Sequence, residues 1–163
     1  MTVWQPAYVA LGSNEGEPRQ QVMRAFDELA SLPDTRLVSR SRLYRTPPFG
    51  PVAQADFINA VAGLLTQLSP HALLAQLRRI ESAHGRVRTV RWGPRTLDLD
   101  LLVQGTARIA DDELTLPHPG IAERAFVLYP LADLAPSLEV PGVGRVALLA
   151  TRVGQEGIRA LDA

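Results

Sequence analysis

Residues 91–102 read RWGPRTLDLDLL, and in their second half leucine alternates with aspartate. Alternate side chains of a β-strand share a face, so the pattern predicts a strand whose leucines face the core and whose aspartates face away from it. Asp98 and Asp100 then point the same way, with Cα atoms about 7 Å apart. The stretch therefore predicts a strand that presents two neighbouring carboxylates on one face of a sheet.

The charges around this strand favour a metal site. Two like charges on adjacent same-face positions repel each other unless a cation lies between them, and carboxylate oxygens are ligands that Mg²⁺ accepts. Four arginines, whose forked guanidinium groups fit phosphate oxygens, stand just upstream: Arg86, Arg88, Arg91 and Arg95. The alternative is an ordinary half-buried strand with a polar outer face. The combination of carboxylates and arginines predicts a Mg²⁺ pair that holds a polyphosphate.

Composition limits the class of protein. With 163 residues, 46% of them hydrophobic, the chain is long enough for one core and is predicted to be one domain over residues 1–163. No apolar stretch approaches a membrane span and residues 1–6 lack the features of a secretory signal, which predicts a soluble cytoplasmic protein. The absence of cysteine excludes disulfides, thiolate zinc sites and cysteine nucleophiles. A formal net charge of zero argues against nucleic-acid or anionic-membrane partners.

Hydrophobic periodicity and turn residues predict the order of elements. Strands are predicted at residues 7–11, 35–44, 57–65 and 97–103, and helices from about Pro18 to Pro33 and from Ser69 to Gly85. A hairpin is expected within 104–116, a helical stretch interrupted by Pro130 within 121–134, and a short strand and a final helix after Pro136. The order β, α, β, β, α, β predicts an α+β fold, a ferredoxin-like antiparallel sheet with helices packed on it as an α/β/α sandwich, two of them on one face.

Seven short motifs occur along the chain: GSN (12–14), RTPP (45–48), DFINA (56–60), GRVR (85–88), RWGPRTLDLD (91–100), LPHP (116–119) and ERAF (123–126). In this order they closely resemble the 6-hydroxymethyl-7,8-dihydropterin pyrophosphokinases of the folate pathway. The similarity begins at about Tyr8, and residues 1–6 are predicted to be a flexible extension. The resemblance implies transfer of the pyrophosphoryl group of ATP to the hydroxymethyl oxygen of the pterin, by attack at the β-phosphorus, with release of AMP.

The resemblance also implies residue roles at the nucleotide. Asp98 and Asp100 hold two Mg²⁺ ions, and Arg86 and Arg95 act with them as catalytic residues at the transferred phosphates. ATP is the co-substrate, and its implied contacts are Glu81, Arg86, Arg88, Trp92, Arg95, Leu101, His118 and Arg124. The implied partners are these small molecules alone, and the chain is expected to be a monomer.

Each nucleotide assignment has a simpler alternative. Arg88 and Arg91 can simply be solvated on a loop, which is the favoured interpretation for Arg91. His118 can satisfy a backbone carbonyl, and Arg124 can lie on a helix surface. Glu81 can be a partner for Arg78 through ordinary i, i+3 pairing on a helix.

A flat heterocycle such as pterin requires aromatic faces and an amide that both donates and accepts along its polar edge. Phe57 and Asn59 are same-face neighbours on a predicted strand, and the resemblance adds Phe126 as the second aromatic face. Core packing is the alternative for either phenylalanine. The complete implied pterin site is Thr46, Pro47, Pro48, Phe49, Phe57, Asn59, Trp92 and Phe126.

Two other functions use similar features. A non-catalytic RNA-binding module can present aromatics on a ferredoxin-like sheet, but neutral charge and a carboxylate pair disfavour it. A nucleotidyl transferase can use the same two-carboxylate strand, and only the acceptor and the phosphorus attacked distinguish it. In the pyrophosphokinase interpretation, the charged connection 85–96 and the proline loop 47–54 are expected to be mobile and to close over both substrates.

Overall fold

The computed structural model describes residues 3–48, 53–85, 96–154 and 157–161. The strands are β1 Gln5–Ser13, β2 Thr35–Arg40, β3 Tyr44–Thr46, β4 Phe57–Thr66, β5 Asp98–Gln104, β6 Ile109–Ala110, β7 Thr115–Leu116, β8 Glu139–Val140, β9 Gly144–Arg145 and β10 Arg159–Ala160. The α-helices are α1 Pro18–Ala30, α2 Pro70–Ala83, α3 Ala125–Leu134 and α4 Val146–Val153, and a 3₁₀ turn covers Ile121–Glu123. The predicted α+β class is confirmed.

The main sheet is antiparallel and has the order β10-β3-β4-β1-β5, with β2 also paired to β4. β1 and β4 lie in the middle and pair over nine residues. Their near-continuous apolar sequence fits strands that are covered on both faces. β5, the strand that carries the aspartates, pairs with β1 and ends the sheet on that side.

Helices cover both faces of the sheet. On one face, the core includes Leu11, Phe26, Leu77 and Leu99, which join β1 and β5 to α1 and α2. On the other face, residues of β4 and β5 pack with α3 and α4, and the core includes Val61, Leu102, Leu128, Leu131 and Leu149. The second face is the one that carries the predicted site, because Asp98 and Asp100 share it with Leu102.

Local signals place α2 correctly. The hydroxyl of Ser69 accepts a hydrogen bond from the main-chain N–H of Ala72 at 3.2 Å, and Pro70 occupies the first turn. Gly85 follows the helix with φ of +76°, in the left-handed region that glycine adopts without strain. Both ends predicted from the sequence are confirmed, and the helix packs beside β5.

Two strand predictions are corrected by the structure. The predicted strand at 35–44 is two strands, β2 and β3, because Ser41 leaves the regular ladder and its hydroxyl accepts the N–H of Val61 at 2.8 Å. The first strand begins at Gln5, which lies opposite Thr66, so Gln5 and Pro6 belong to the sheet and not to a flexible extension.

The C-terminal prediction is also corrected. α3 runs through Pro130 without interruption, although proline removes one main-chain hydrogen bond. Burial of Val127, Leu128 and Leu131 against the sheet outweighs that loss. The final helix α4 is followed by one more strand, β10, which pairs with β3. No helix in the described parts of the chain is both long and apolar enough to cross a bilayer.

Candidate active site

Three residues form a row across the sheet, near one end of its strands: Asn59 on β4, Gly12 on β1 and Asp98 on β5. Directly opposed residues of antiparallel strands point to the same face, and neighbouring strands lie about 4.8 Å apart. Asn59 and Asp98 therefore lie about 10 Å apart on one face, with only a glycine between them. Their strand neighbours Phe57 and Asp100 share that face, so the predicted pterin residues and the predicted metal ligands come together.

Gly12 makes the row possible. A Cβ atom at this position would lie 2.7 Å from the Oδ1 atom of Asn59 and 3.8 Å from a ring carbon of Phe57. The first distance is shorter than van der Waals contact allows, so any larger residue displaces the Asn59 amide. The glycine leaves open the space between that amide and the carboxylates.

We expect Gly12→Ala to weaken binding of pterin at least about 10-fold, because the added methyl group forces the Asn59 amide out of place. The melting temperature should fall by only a few degrees, since the neighbour that must move is a side chain. Calorimetric titration with pterin and thermal unfolding measure the two effects. A Gly63→Ala variant is the matched control. Gly63 lies on β4 toward the other end of the sheet, and its Cβ would crowd the hydroxyl of Ser39 on β2. Unchanged pterin affinity in Gly12→Ala would contradict the placement.

The carboxylate pair has the predicted alternation. Asp98 and Asp100 are half-buried, whereas Leu97, Leu99 and Leu101 are buried in the core. In the described residues, no group of three or more histidine, cysteine or acidic side chains could hold a metal ion. The two aspartates offer a donor set of carboxylate oxygens suited to a hard cation.

His118 lies beside β5 on the same side of the molecule as the carboxylates. Its main-chain N–H donates to the carbonyl of Leu102 at 2.9 Å, and its ring Nδ1 accepts the N–H of Gly120 at 3.1 Å. The ring thus accepts a main-chain N–H and does not serve a backbone carbonyl through that nitrogen. The pKa of His118 is lowered to about 4, mainly by burial and also by the positive charge of Arg124, while the negative charge of Asp98 opposes the shift. A neutral ring with Nδ1 as acceptor carries its proton on Nε2, which is left as a donor.

The depressed pKa of His118 predicts a loss of stability in acid. Between pH 6.5 and about 4, His118 is protonated in the unfolded chain but stays neutral in the folded protein. The free energy of unfolding therefore falls as pH falls. The loss is at most about 3 kcal/mol. Thermal unfolding of the metal-free protein between pH 7.5 and 4.5 should show a steeper decline for the wild type than for His118→Gln. Parallel curves would contradict the buried, neutral histidine.

Residues at the start of α3 line a cavity beside the row. The Cζ atom of Arg124 lies 5.7 Å from the ring centre of Phe126, and Arg124 also packs against Gly120. A cavity of about 230 Å³ separates these side chains from Thr46, Pro47 and Pro48. The Asn59 amide donates to the hydroxyl of Thr46, which joins the cavity to the row across the sheet. The structure thus brings Thr46, Pro47, Pro48, Asn59 and Phe126, all predicted to form the pterin site, to one place.

Two predicted nucleotide residues lie in less open surroundings. The carboxylate of Glu81 is buried and accepts hydrogen bonds from Arg78 and from the N–H of Leu99, both at 2.8 Å. The i, i+3 pairing considered as its alternative is therefore present. Leu101 is buried in the core on the α1 and α2 side. Contact of either residue with a nucleoside stays a prediction.

Several predicted site residues lie outside the described part of the chain: Phe49, Arg86, Arg88, Trp92 and Arg95. Arg91, to which no site role was assigned, lies there as well. The expected closing movement of 85–96 and 47–54 falls largely on stretches outside the described residues and also stays a prediction.

The structure adds residues that sequence reasoning did not single out. The hydroxyl of Ser13 donates a hydrogen bond to the carbonyl of Thr96. The side-chain amide of Asn14 donates to Oε1 of Gln54 and to the carbonyl of Ala55, and both of these bonds are 2.8 Å long. The GSN motif at a strand end was the available signal for these two. No sequence signal indicated that Val153, Gly154 and Ile158 also line the cavity.

Comparisons with known proteins identify the family. The chain matches the 7,8-dihydro-6-hydroxymethylpterin-pyrophosphokinase (HPPK) family over residues 8–136. It is 50% identical over 157 residues to the 2-amino-4-hydroxy-6-hydroxymethyldihydropteridine pyrophosphokinase of Pseudomonas aeruginosa, covering 96% of this chain and 97% of that one. The enzyme of the same name from Methylorubrum extorquens is 48% identical over 136 residues, which are 83% of this chain and 86% of that one.

Solved structures support the fold. The crystal structure of wild-type HPPK-DHPS of Plasmodium falciparum with pteroate superposes with a TM-score of 0.77 at 13% identity. The match covers all of this chain and 47% of that one, so this chain spans about half the length of that two-part protein. The extent of the family match and the identity to curated relatives decide the assignment: the chain belongs to the 7,8-dihydro-6-hydroxymethylpterin pyrophosphokinase family.

Proposed function

We propose that this chain transfers the pyrophosphoryl group of ATP to the hydroxymethyl oxygen of 6-hydroxymethyl-7,8-dihydropterin in folate biosynthesis. The pterin oxygen forms a bond to the β-phosphorus, the bond from that phosphorus to the α,β-bridging oxygen breaks, and AMP leaves with that oxygen. The hydroxymethyl proton is released, and the products are the pterin diphosphate and AMP. The observation that carries the proposal is the row of Asn59, Gly12 and Asp98, together with family membership.

Asp98 and Asp100 are the residues that would hold Mg²⁺, and we propose two ions. Their same-face position on β5 and their half-burial suit oxygen ligation of a hard cation. When bound, Mg²⁺ neutralises the triphosphate and fixes its orientation. The aspartates would thereby set where the β-phosphorus lies relative to the pterin.

The pterin would lie with its polar edge on Asn59 and its ring between Phe57 and Phe126. The Asn59 amide is held by Thr46, which leaves its second amide hydrogen and its carbonyl oxygen to read a heterocycle edge that both donates and accepts. Pro47 and Pro48 would bound the site, since they line the cavity opposite Phe126. Phe49 and Trp92 complete the proposed pterin contacts.

His118 and the arginines would stabilise the negative charge of the ATP phosphates. A neutral His118 can donate from Nε2 to a phosphate oxygen without adding a proton to the reaction. Arg124, at the start of α3, and the loop residues Arg86, Arg88 and Arg95 would stabilise negative charge as AMP leaves. Trp92, Glu81 and Leu101 are the remaining proposed ATP contacts.

We further propose a single ferredoxin-like domain over residues 1–163 that acts as a cytoplasmic monomer without nucleic-acid or membrane partners. The strand order β5-β1-β4-β2, with α1 and α2 on one face, supports the topology. Zero formal net charge supports the choice of small-molecule partners.

Product analysis tests the function. Incubation with ATP, Mg²⁺ and 6-hydroxymethyl-7,8-dihydropterin should give equal amounts of AMP and a pterin carrying two phosphates, measured by liquid chromatography and mass spectrometry. ADP with a pterin monophosphate would indicate an ordinary kinase, and pyrophosphate with an adenylylated pterin would indicate a nucleotidyl transferase. Either result would overturn the proposal.

A further inference from the structure

The main chain between the two aspartates is held by side chains of α2. The N–H of Leu99 donates to Oε2 of Glu81 at 2.8 Å, and the carbonyl of Leu99 accepts from Nη1 of Arg78 at 3.1 Å. The same Nη1 donates to Oε1 of Glu81 at 2.8 Å. Three hydrogen bonds thus close a ring through Arg78, Glu81 and the peptide groups of Leu99.

The position of β5 explains why this ring is needed. Leu99 lies opposite Leu11 of β1, and β5 ends the sheet on that side. In an antiparallel ladder, the N–H and the carbonyl of one residue point to the same side, and successive residues alternate. Because Leu99 directs both groups to α2, the groups of Asp98 and Asp100 are directed to β1. The strand is thereby held by β1 at the two aspartates and by α2 at the residue that separates them.

Burial makes the arrangement rigid. The side chain of Glu81 is 3% exposed and that of Arg78 is 39% exposed. A buried carboxylate is stable only when it is paired and hydrogen-bonded, and here an arginine and a main-chain N–H meet both requirements. Leu99 itself is fully buried, so a lost partner would leave its peptide N–H unsatisfied.

We propose that Arg78 and Glu81 are positioning residues that fix the spacing and direction of the Asp98 and Asp100 carboxylates. This inference rests on the proposed metal role of those aspartates. Groups that orient metal ligands typically change metal affinity or activity 10- to 100-fold when they are removed. Arg78 and Glu81 therefore act on the metal through the backbone of Leu99, and their loss should appear in the metal dependence of the reaction.

The test is a double-mutant cycle with Arg78→Gln, Glu81→Gln and the combined variant of the full chain. Both single changes keep side-chain size close to the original, but a glutamine at 81 cannot accept from Arg78 and Leu99 through two carboxylate oxygens at once. The rate is measured against Mg²⁺ concentration at saturating ATP and pterin. Mn²⁺ affinity is measured by electron paramagnetic resonance in the presence of α,β-methylene-ATP.

We expect each single variant to raise the half-saturating Mg²⁺ concentration at least about 5-fold and to lower kcat about 10-fold, within the range for such residues. The KM for pterin should stay within about 2-fold, and the double variant should resemble the more damaged single variant, since both break one network. Arg78→Lys should restore most of the rate, because an ammonium group can also donate to both partners. Arg79→Gln, an exposed neighbour on α2, is the matched control and should behave as wild type.

Unchanged Mg²⁺ and Mn²⁺ dependence in both single variants, or fully additive effects, would overturn the positioning role. So would a rise in the KM for ATP in Glu81→Gln without any change in its Mg²⁺ or Mn²⁺ dependence, because the proposed nucleotide contact would then account for Glu81 without a positioning role. Failure of the proposed function is distinguishable, because it would appear in the wild type as turnover without a divalent cation or as products other than AMP and the pterin diphosphate.

Discussion

Asp98→Ala and Asp100→Ala should each lower the rate of pyrophosphoryl transfer at least about 10³-fold at millimolar Mg²⁺, a loss of about 4 kcal/mol of transition-state stabilisation. The reason is their position: both carboxylates share one face of β5, and they are the proposed protein ligands of the metals. Neither removal opens the core, because the buried residues of this strand are its leucines. The folded state should therefore persist while turnover is lost.

Steady-state turnover and thermal unfolding, measured together, check this expectation. Asp112→Ala is the matched control, since it removes an exposed carboxylate after the β6 strand and should leave both quantities unchanged. Rates near the wild-type value in both Asp98→Ala and Asp100→Ala would contradict the metal assignment. A large fall in melting temperature would instead mean that the pair supports the fold.

Asn59→Ala should weaken pterin binding at least about 30-fold, or about 2 kcal/mol, while affinity for an ATP analogue stays within about 2-fold. Asn59 is 6% exposed, and the contact of its side-chain amide with Thr46 fixes the orientation of that amide toward the gap above Gly12. A pterin edge that loses this partner is left with unsatisfied polar atoms. Loss of either aromatic face, at Phe57 or Phe126, should cost less, about 1 kcal/mol.

Calorimetric titration of each variant with pterin and with α,β-methylene-ATP measures the two affinities. Gln67→Ala removes an amide just beyond the opposite end of β4 and should leave both affinities unchanged. A selective loss of nucleotide binding in Asn59→Ala would place the pterin elsewhere.

Local sequence patterns were sufficient where one element decides the outcome. The alternation of leucine and aspartate correctly predicted which face of β5 carries the carboxylates, and Ser69 with Pro70 correctly predicted the start of α2. These signals depend on the period of a strand or on capping chemistry, and both are properties of a few consecutive residues.

Features that depend on residues distant in the sequence could not be predicted from local patterns. Pro130 was predicted to interrupt a helix, but packing of α3 on the sheet overrides it. The space above Gly12 follows from the register of β1 with β4 and β5, which no local pattern specifies. The contact of Glu81 with the N–H of Leu99 likewise follows from how α2 lies against the edge of the sheet, although its pairing with Arg78 was visible as an i, i+3 spacing.

If the carboxylate pair brings a divalent cation to the pterin across Gly12, paramagnetic relaxation of the pterin protons will detect it. Mn²⁺ replaces Mg²⁺ in the complex with α,β-methylene-ATP and the pterin, and relaxation of the pterin protons is recorded by NMR. The row across the sheet predicts strong enhancement for the hydroxymethyl protons, which is lost in Asp98→Asn combined with Asp100→Asn. Equal relaxation of the hydroxymethyl protons with Mn²⁺ and with Mg²⁺ in the wild-type complex would show that the cation does not lie beside the pterin.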